Sequence, residues 1–398
     1  MGGRVYPYRG FMLDSARHFM PVSDVCRLIE AAAICGMNRM HWHLTDDQGW
    51  RLEIRRWPRL TEVGSRRGPS RFGAVSATQN NNGFYTQEDI RRVVAFARER
   101  GIEIVPEIEV PGHASAMLAA YPMLGCAGTD PDGKRVESPY DYRVEVTAGI
   151  FPNLICAGKD EALRFLEDVL YELVDLFPGP EVHIGGDEAT KTHWQACPDC
   201  QRRMREEGLA DAEALQRWLV LRVGEYLAAK GRRVIVWNES LAGGMLPAHF
   251  IVQHWLGNDA ETRAFMAAGG SVICSDTAHY YLDYPYGETD AWGIWQAPVP
   301  DYAKGFEDRL LGIECPLWTE RVTNIDRAAE LLFPRLPAVA LKLNGERWET
   351  WEDFRDALLA LREKTAPLGL RWADERLWRM SGEEAAADRE ADERIRNA

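Results

Sequence analysis

Hydrophobic and polar positions follow one repeated pattern along the chain. A short apolar run of strand length is followed by polar residues and then by a segment with helical apolar spacing. The pattern predicts eight strands, at residues 11–17, 38–47, 102–109, 182–188, 234–239, 250–255, 271–275 and 310–315. It predicts helices at residues 22–35, 86–100, 160–176, 211–229, 259–268, 326–333 and 351–364.

The polar ends of these strands favour a closed barrel over an open, doubly wound sheet. A barrel gathers all eight strand ends around one pocket, whereas an open sheet brings together only those at its switch point. Nearly every predicted strand ends in polar or aromatic residues: Arg17, Asp46, Glu109, Asp187 with Glu188, Trp237 with Asn238, Gln253 with Trp255, and Glu314. No GxGxxG or P-loop motif is present. We therefore predict an α/β fold, a single-domain (β/α)8 TIM barrel over residues 1–380. The charged tail, 381–398, is predicted to be frayed or a marginal helix.

The fourth strand ends in two glycines and two adjacent carboxylates. Neighbouring side chains of a regular strand point to opposite faces. Gly185 and Gly186 allow the backbone to depart from a strand, so that Asp187 and Glu188 can face one pocket. Two like charges this close raise the pKa of one of them, which suits an acid working near neutral pH. A salt-bridged strand end is the alternative interpretation.

Adjacent carboxylates do not fit the usual two-carboxylate glycosidase. Those enzymes place the groups on opposite sides of the scissile bond, several ångströms apart. A glycosidase with this motif would use one carboxylate as the acid and take its nucleophile from elsewhere. A 2-acetamido group of the substrate would meet that need, and the second carboxylate could orient it.

Seven segments resemble a known family and occur in its order. They are residues 9–19, 41–51, 106–113, 183–188, 237–239, 281–283 and 317–320. Together they resemble the catalytic domain of family 20 glycoside hydrolases, the β-N-acetylhexosaminidases, over about residues 9–335. The resemblance implies a retaining exo-hydrolase that releases terminal β-linked N-acetylglucosamine, with N-acetylgalactosamine as a further substrate, through an oxazolinium intermediate.

The resemblance also implies a role for each matching residue. Glu188 matches the general acid/base, Asp187 the residue that holds the acetamido N–H, and Tyr281 the hydroxyl that binds the acetamido oxygen. Asp46 and His113 match a hydrogen-bonded relay to the acid. The implied substrate-binding residues are Arg17, Trp237, Trp255, Asp283, Trp318 and Glu320, together with Trp295 (or Trp292) as the platform for the leaving sugar.

Three positions depart from the family pattern. Glu109 stands where the family usually has Asp, and Asn238 stands where Asp is common. Residues 340–348 lack the usual Ala-Glu-x-x-Trp ending, which bears on the packing of the last helices. The small domain that usually precedes this barrel is absent from the sequence, so the barrel is expected to stand alone.

Charge and hydropathy restrict the partners. The net charge is −14 and no basic cluster offsets it, which argues against nucleic acid. The apolar runs are too short to cross a membrane. The first residues contain no apolar signal core, so the expected compartment is the cytoplasm unless a leader has been removed. The predicted partners are N-acetylhexosamine-containing oligosaccharides or glycoconjugates, and the oligomeric state is not indicated.

The sequence predicts no metal and no cofactor. Cys197 and Cys200 have the spacing of a metal or redox pair, but one pair without a second is weak support for zinc. His41 and His43 lie on one face of a strand without a third ligand at fitting spacing, so a structural role is favoured. Asp46 with Asp47 is too small a set to hold Mg²⁺.

Three alternatives stay open. A hydrolase of the same family could release disaccharides or prefer one polymer, depending on the loops at 48–85 and 126–157. A catalytically silent sugar-binding barrel could have kept the pocket. A metal-dependent hydrolase on the same barrel would be inhibited by chelators.

Overall fold

Eight parallel strands form a closed barrel in the computed structural model, which describes residues 4–73, 75–76 and 81–397. The strands are β1 (Tyr8–Asp14), β2 (Arg39–His43), β3 (Glu103–Glu107), β4 (Glu181–His183), β5 (Arg233–Trp237), β6 (Ile251–His254), β7 (Ser271–Cys274) and β8 (Leu310–Leu317). Each strand pairs with the next along the chain, and β8 pairs with β1. The predicted (β/α)8 barrel is therefore confirmed.

Helices follow the strands and cover the outside of the barrel. The longer ones are α1 (Val22–Ile34), α2 (Gln87–Glu99), α3 (Asp160–Leu176), α4 (Pro198–Glu206), α5 (Ala212–Ala229), α6 (Asp259–Ala267), α7 (Ile325–Leu332), α8 (Arg335–Leu343), α9 (Trp351–Thr365) and α10 (Gly382–Asn397). Short helices lie at Arg59–Glu62, Ser115–Ala120, Thr192–Ala196, Thr277–Tyr280 and Ala291–Gln296. Three small antiparallel sheets each consist of two strands of two residues. They pair Thr45–Asp46 with Gly49–Trp50, Arg71–Phe72 with Val75–Ser76, and Gly128–Thr129 with Arg135–Val136.

Local sequence signals account for several helix ends. Thr86 begins α2 with a capping box, in which its hydroxyl accepts the N–H of Asp89 and the Asp89 carboxylate accepts the N–H of Thr86. Asp211 caps α5 by accepting the N–H of Ala214 at 2.8 Å. The pattern of hydrophobic and polar positions did not predict α4 and α8. Helix α8 is buried along its whole length, Arg335 and Lys342 included, so it lacks the exposed polar face by which a surface helix is recognised.

The barrel interior is layered. The lower layer is apolar: Tyr8, Val105, Ile235, Ile251 and Ile273. Two residues further along the strands, the inward positions become Glu107, Trp237 and Gln253, because side chains of a strand face the same side every second residue. The apolar layer therefore supports a polar one, which lies below the strand ends.

The C-terminal tail is ordered as a helix. Helix α10 covers residues that the sequence predicts to be frayed or marginally helical. The N–H of Gly287 donates to Asp388 Oδ2 at 2.8 Å, and Arg389 donates to the carbonyl of Gly287. These contacts fasten α10 to the segment between β7 and β8.

Residues 1–3, 74, 77–80 and 398, which belong to the predicted barrel, the 48–85 loop and the tail, lie outside the described residues. Within the described part, no helix combines the length and the apolar character that crossing a membrane requires.

Candidate active site

The C-terminal ends of the strands surround one pocket. Its walls contain every predicted site residue except Trp295. The lining residues are Arg17, Asp46, His113, Ala148, Asp187, Glu188, Trp237, Trp255, Tyr281, Asp283, Tyr284, Trp318, Glu320, Arg321 and Arg396.

Trp295 does not reach this pocket. It lies in the short helix Ala291–Gln296, and its ring stacks on Phe354 of α9 with 5.6 Å between ring centroids. Trp292, the alternative, is partly exposed and its ring packs under the Arg379 guanidinium. Trp295 therefore lies outside this pocket, because the helix turns it towards the outer helices, and the aromatic platform for the leaving sugar stays a prediction.

The backbone after β4 brings two adjacent carboxylates into the pocket. The strand ends at His183, and Gly185, Gly186 and Glu188 have φ values of 68°, 101° and 47°. A Cβ at Gly185 would lie 1.8 Å from Glu109 Oε2, and one at Gly186 would lie 2.1 Å from Ser240 Oγ. Both positions therefore require glycine, and the predicted departure from a regular strand is present.

The environment of Glu188 favours its neutral form. Burial and the neighbouring Asp187 carboxylate raise the pKa of Glu188, while His113 opposes them. The N–H of Glu188 donates to Glu239 Oε2 at 3.3 Å. Burial, Asp187 and Glu188 together raise the pKa of Glu239 to about 7. The side chain of Glu188 is 29% exposed, so its carboxyl can reach a bound substrate.

His113 connects the two pocket carboxylates to a second pair. Its Nε2 lies 3.6 Å from both Asp187 Oδ2 and Glu188 Oε2, and its Nδ1 lies 3.3 Å from Asp46 Oδ1 and 3.1 Å from Asp47 Oδ2. Burial alone would lower the pKa of His113, but Asp46 and the hydrogen bonds with the carboxylates raise it well above its usual value. The imidazole is therefore positively charged beside Glu188, in the position expected of the relay.

An aromatic box stands opposite the carboxylates. Tyr281 stacks between Trp255 and Tyr284, with ring centroids 6.1 and 5.9 Å away. Trp318 lies 6.4 Å from Tyr281 and 6.2 Å from Trp237. The described structure thus places three indole rings and a phenol hydroxyl around one small volume, which suits an apolar group that carries a single polar acceptor.

The other side of the pocket is charged. Arg17 pairs with Asp46 through Nη2 and Oδ2 at 2.6 Å, and its guanidinium lies 5.0 Å from the centre of the Trp318 ring. Burial and the nearby Glu320 charge raise the pKa of Asp283 to about 7, although Arg321 opposes them. This side therefore offers both hydrogen-bond donors and acceptors to the hydroxyl groups of a sugar.

The histidines of β2 belong to a buried ion-pair layer beneath the pocket. His41 lies 3.0 Å from Glu107 Oε2 and 2.7 Å from Glu314 Oε1, and His43 also contacts Glu107. Glu107 further accepts the Trp237 indole N–H at 3.1 Å. These contacts fit the structural role favoured for His41 and His43. They also fix Trp237, one wall of the box, from below.

Two of the three departures from the family pattern, Glu109 and Asn238, contact residues next to the pocket. Glu109 is buried against Gly185, and burial and the nearby Asp187 raise its pKa well above the usual value, so it is held neutral. Asn238 is fully buried and donates its amide to the carbonyls of Leu256 and Gly257 at 3.1 and 3.0 Å. It also accepts the backbone N–H of Trp255 at 3.2 Å. An amide suits this position because it both donates and accepts.

We expect Asn238→Asp to weaken this loop. A carboxylate would face two carbonyl oxygens and leave them without donors, which costs about 1–3 kcal/mol. The loss should shrink at acidic pH, because protonation restores one donor. Thermal unfolding between pH 5 and 8 measures the effect. Asn258→Asp, at an exposed position of the same loop, is the matched control. Equal, pH-independent stability of Asn238→Asp and its parent would contradict this account.

Some pocket residues carried no assigned role at the sequence level. Glu239 does not line the pocket but contacts Glu188, and it lies in the family-like segment 237–239, so its motif was a usable signal. Tyr284 and Arg321 directly follow the quoted segments at 281–283 and 317–320. Arg396 had no signal, because it reaches the pocket only through the packing of α10.

Comparisons with known proteins agree with this geometry. A family model for the catalytic domain of glycosyl hydrolase family 20 matches residues 6–347. β-Hexosaminidases of Porphyromonas gingivalis and Vibrio furnissii are 39% and 36% identical over 348 and 353 residues. Each alignment covers 84% of this chain, but 42% and 56% of those proteins. The chain thus spans about half the length of these relatives.

Solved structures show the same similarity. An exo-β-N-acetylglucosaminidase from Vibrio harveyi, in complex with N-acetylglucosamine, is 31% identical with a TM-score of 0.78, over 94% of this chain and 60% of that one. A β-N-acetylhexosaminidase from Bacteroides fragilis is 32% identical with a TM-score of 0.76, over 92% of this chain and 72% of that one. Since the family model matches most of its length, the chain belongs to glycosyl hydrolase family 20.

Proposed function

We propose that this protein is a retaining exo-β-N-acetylhexosaminidase that removes terminal, non-reducing β-linked N-acetylglucosamine, with N-acetylgalactosamine as a further substrate. The observation that carries the proposal is the juxtaposition of Asp187 and Glu188 with the box of Trp237, Trp255, Tyr281 and Trp318. The box has the shape and polarity for an acetamido group. The carboxylates stand where that group would meet the scissile bond.

In the first step Glu188 acts as the acid. Its raised pKa keeps a proton available, which passes to the glycosidic oxygen as the C1–O bond breaks. The acetamido oxygen of the substrate attacks C1 and forms the oxazolinium ion. Asp187 accepts the acetamido N–H and stabilises the positive charge, while the Tyr281 hydroxyl donates to the acetamido oxygen and orients it.

In the second step a water molecule opens the oxazolinium ion. Water attacks C1, the C1–O bond to the acetamido group breaks, and the Glu188 carboxylate takes the proton from the water. Each step inverts C1, so the product retains the β configuration. No protein nucleophile is required, which agrees with two adjacent rather than two separated carboxylates.

The pocket size supports an exo mode of action. Its cavity is about 220 Å³, below the range of roughly 300–1,000 Å³ typical of drug-sized ligands. A volume of this size fits one sugar ring. Arg17, Asp283 and Glu320 would bind its hydroxyl groups on the side away from the acetamido box.

The internal nucleophile can be tested with substrates alone. A series of aryl glycosides with N-acetyl, N-fluoroacetyl and N-trifluoroacetyl groups makes the carbonyl oxygen progressively less nucleophilic. We expect kcat/KM to fall along the series, and plain β-glucosides to be inert. Equal rates across the series, or equal activity on plain β-glucosides, would exclude substrate assistance.

Asp187→Asn should change the pH profile as well as the rate. The Asp187 charge is, after burial, the main influence that raises the pKa of Glu188, so its removal lowers that pKa. Because the acid must be protonated, the alkaline limb of kcat/KM should move to lower pH. Residual activity between pH 4 and 9 measures the shift. An unmoved alkaline limb would contradict the assigned coupling.

Arg396 is proposed to bind substrate from α10. Its guanidinium lies 4.4 Å from the centre of the Tyr284 ring and also lowers the pKa of Asp283. We expect Arg396→Ala to raise KM by about 10-fold or more, in line with the loss of a hydrogen bond from a charged group, which is worth about 1.5–3 kcal/mol. Arg394→Ala, on the exposed face of the same helix, is the control. Unchanged KM in both variants would remove Arg396 from the site.

The alternatives give different results in the same assays. Release of disaccharides from chito-oligosaccharides would identify the disaccharide-releasing hydrolase. Sugar binding by calorimetry without turnover would identify a silent barrel. Rapid loss of turnover in a chelator would identify a metal-dependent hydrolase.

A further inference from the structure

A cluster of four cysteines lies outside the active site. The Sγ atoms of Cys126, Cys156, Cys197 and Cys200 all lie within 4.8 Å of one another, and all four residues are fully buried. None of them lines the pocket. We propose that this quartet is a structural Zn²⁺ site. The sequence alone predicts no metal, because only Cys197 and Cys200 are close along the chain.

Backbone pairing brings the first two cysteines together. An antiparallel bridge joins Gly125 to Ile155, so Cys126 and Cys156 follow directly on adjacent segments. The N–H of Cys156 donates to the carbonyl of Leu124 at 2.9 Å. The two thiols therefore meet although 30 positions separate them in the sequence.

The other two cysteines occupy the start of α4. Cys197 is the N-cap and Cys200 lies in the first turn, where the helix dipole favours thiolates. Trp194 ties this segment to the first pair, because its indole N–H donates to the carbonyl of Ile155 at 3.0 Å. Gly158 approaches so closely that a Cβ there would lie 2.3 Å from the backbone nitrogen of Cys200.

The sulfur spacing matches a single tetrahedral ion. Cys156 Sγ lies 3.7 Å from Cys197 Sγ and 3.6 Å from Cys200 Sγ. Four Zn–S bonds of about 2.3 Å in a tetrahedron give sulfur–sulfur distances of roughly 3.8 Å. A four-thiolate site leaves no open coordination position, so the ion would be structural rather than catalytic.

Other cysteine chemistries fit less well. Cys156 has two sulfur neighbours at similar distances, whereas a disulfide joins one pair at about 2.05 Å. A redox CxxC pair must meet a partner thiol, but Cys197 and Cys200 are fully buried. A multi-iron cluster places several iron and sulfide atoms between its thiolates, and a quartet within 4.8 Å has no room for them.

Nearby cations suit the negative charge of a zinc tetrathiolate. Lys159 is buried and donates to the carbonyls of Met123 and Gly125, each at 2.8 Å. Arg202 donates to the carbonyl of Gly158 at 2.9 Å. Lys159 also pairs with Glu137 and Arg202 with Asp199, each at 2.9 Å, so these cations offset only a small part of the charge that four thiolates would bury.

The site would join two loops of the catalytic face. Cys126 and Cys156 lie between β3 and α3, the segment that also contains His113. Cys197 and Cys200 lie between β4 and α5, the segment that begins with Asp187 and Glu188. Asn153 extends the link by donating to Ser115 Oγ at 3.0 Å. Zinc would thus hold the relay histidine and the carboxylates on loops of fixed spacing.

Metal analysis of the purified full chain tests the proposal. We expect one zinc per chain by mass spectrometry of the metals. Titration with p-hydroxymercuribenzoate should release it, as read with a chromophoric chelator. Replacement by Co²⁺ should give the visible bands of a tetrahedral cobalt thiolate. These measurements need no variant, so they remain decisive if a cysteine variant misfolds.

Variants assign the metal to the quartet. Cys126→Ser and Cys200→Ser should lose the zinc and unfold at lower temperature. Cys35→Ser, which alters a buried free cysteine of the first βα unit, should keep it. A metal-free native chain with four reduced thiols, two disulfides by mass, or iron in place of zinc would each overturn the proposal. Turnover measured before unfolding should persist on brief chelation, so the hydrolase proposal is judged separately.

Discussion

Replacing Glu188 with glutamine is expected to lower kcat by about 10²–10⁴-fold on substrates with poor leaving groups. Glutamine keeps the shape of the side chain, and the backbone N–H at this position still donates to Glu239, but glutamine cannot deliver a proton. The Glu188 side chain is part-exposed. Its backbone has a φ of 47°, in the left-handed region, and glutamine adopts this conformation about as readily as glutamate. The fold should therefore be unchanged, and the loss should appear in the chemical step.

The leaving group separates proton transfer from structural damage. Nitrophenolate is a good leaving group that departs without protonation. Glu188→Gln should therefore lose much less activity on nitrophenyl glycosides than on alkyl glycosides or chito-oligosaccharides. Asp187→Asn should lose activity on all of these substrates, because the Asp187 carboxylate stabilises the oxazolinium ion whatever the leaving group is. Glu225→Gln, on the exposed face of α5, is the control for both. Near-parental turnover of Glu188→Gln on chito-oligosaccharides would contradict the role of Glu188 as the general acid.

The second large effect is on stability. We expect Glu107→Gln to lower the free energy of unfolding by about 3–5 kcal/mol, as when one partner of a buried ion pair is removed. Glu107 is fully buried and contacts His41, His43 and His183. Without its charge, His41 and His43 lose the carboxylate that stabilises their protonated forms. Chemical or thermal unfolding of parent and variant measures the difference.

The pH dependence gives this prediction a second readout. Burial lowers the pKa of His41 and His43, but Glu314 and Glu107 raise that of His41 to about 10, and Glu107 raises that of His43 to about 9. Their contribution to stability is complete below the unfolded pKa of about 6.5 and is lost as the pH rises towards 9–10. Glu107→Gln should flatten this alkaline loss.

A control lies on the next strand. Glu181→Gln, at the opposite end of the barrel, affects a buried carboxylate that lies 3.6 Å from Arg39 and 3.9 Å from Arg233, both of which reach solvent. We expect it to cost less than Glu107→Gln, because water screens these two partners, and to leave the alkaline slope unchanged. Equal costs for the two glutamates would show that the buried layer has no special part in stability.

The fold could be predicted because it repeats one local signal. Each barrel strand is a short apolar run whose C-terminal end turns polar, and this alternation does not depend on distant contacts. Helix α8 and helix α10 could not be predicted in the same way. The first lacks a polar face because it is buried, and the second is charged along most of its length, so contacts such as Gly287 with Asp388 order it.

The site could be predicted where one segment carries its own geometry. Asp187 and Glu188 directly follow Gly185 and Gly186, whose positive φ values favour glycine. The same short segment therefore predicts both the two carboxylates and the departure from a strand that brings them into the pocket. The position of Trp295 outside the pocket could not be predicted, because a motif gives the residue but not the side of a helix that it occupies. The cysteine quartet was missed because Cys126 and Cys156 meet the CxxC pair only through the bridge between Gly125 and Ile155.

The buried ion-pair layer has a consequence for dividing the protein. Residues of β2–β4 supply two imidazoliums, His41 and His43, and one carboxylate, Glu107, while the pKa of His183 is lowered by burial and this histidine stays neutral. His41 of the half-barrel β1–β4 pairs with Glu314 of β8 at 2.7 Å, so opposite charges of this layer face each other across the two halves of the barrel. If the chain is cut in the loop between α4 and α5, these opposite charges would attract the two fragments to each other. This loop is therefore a suitable place to split the chain for fragment complementation.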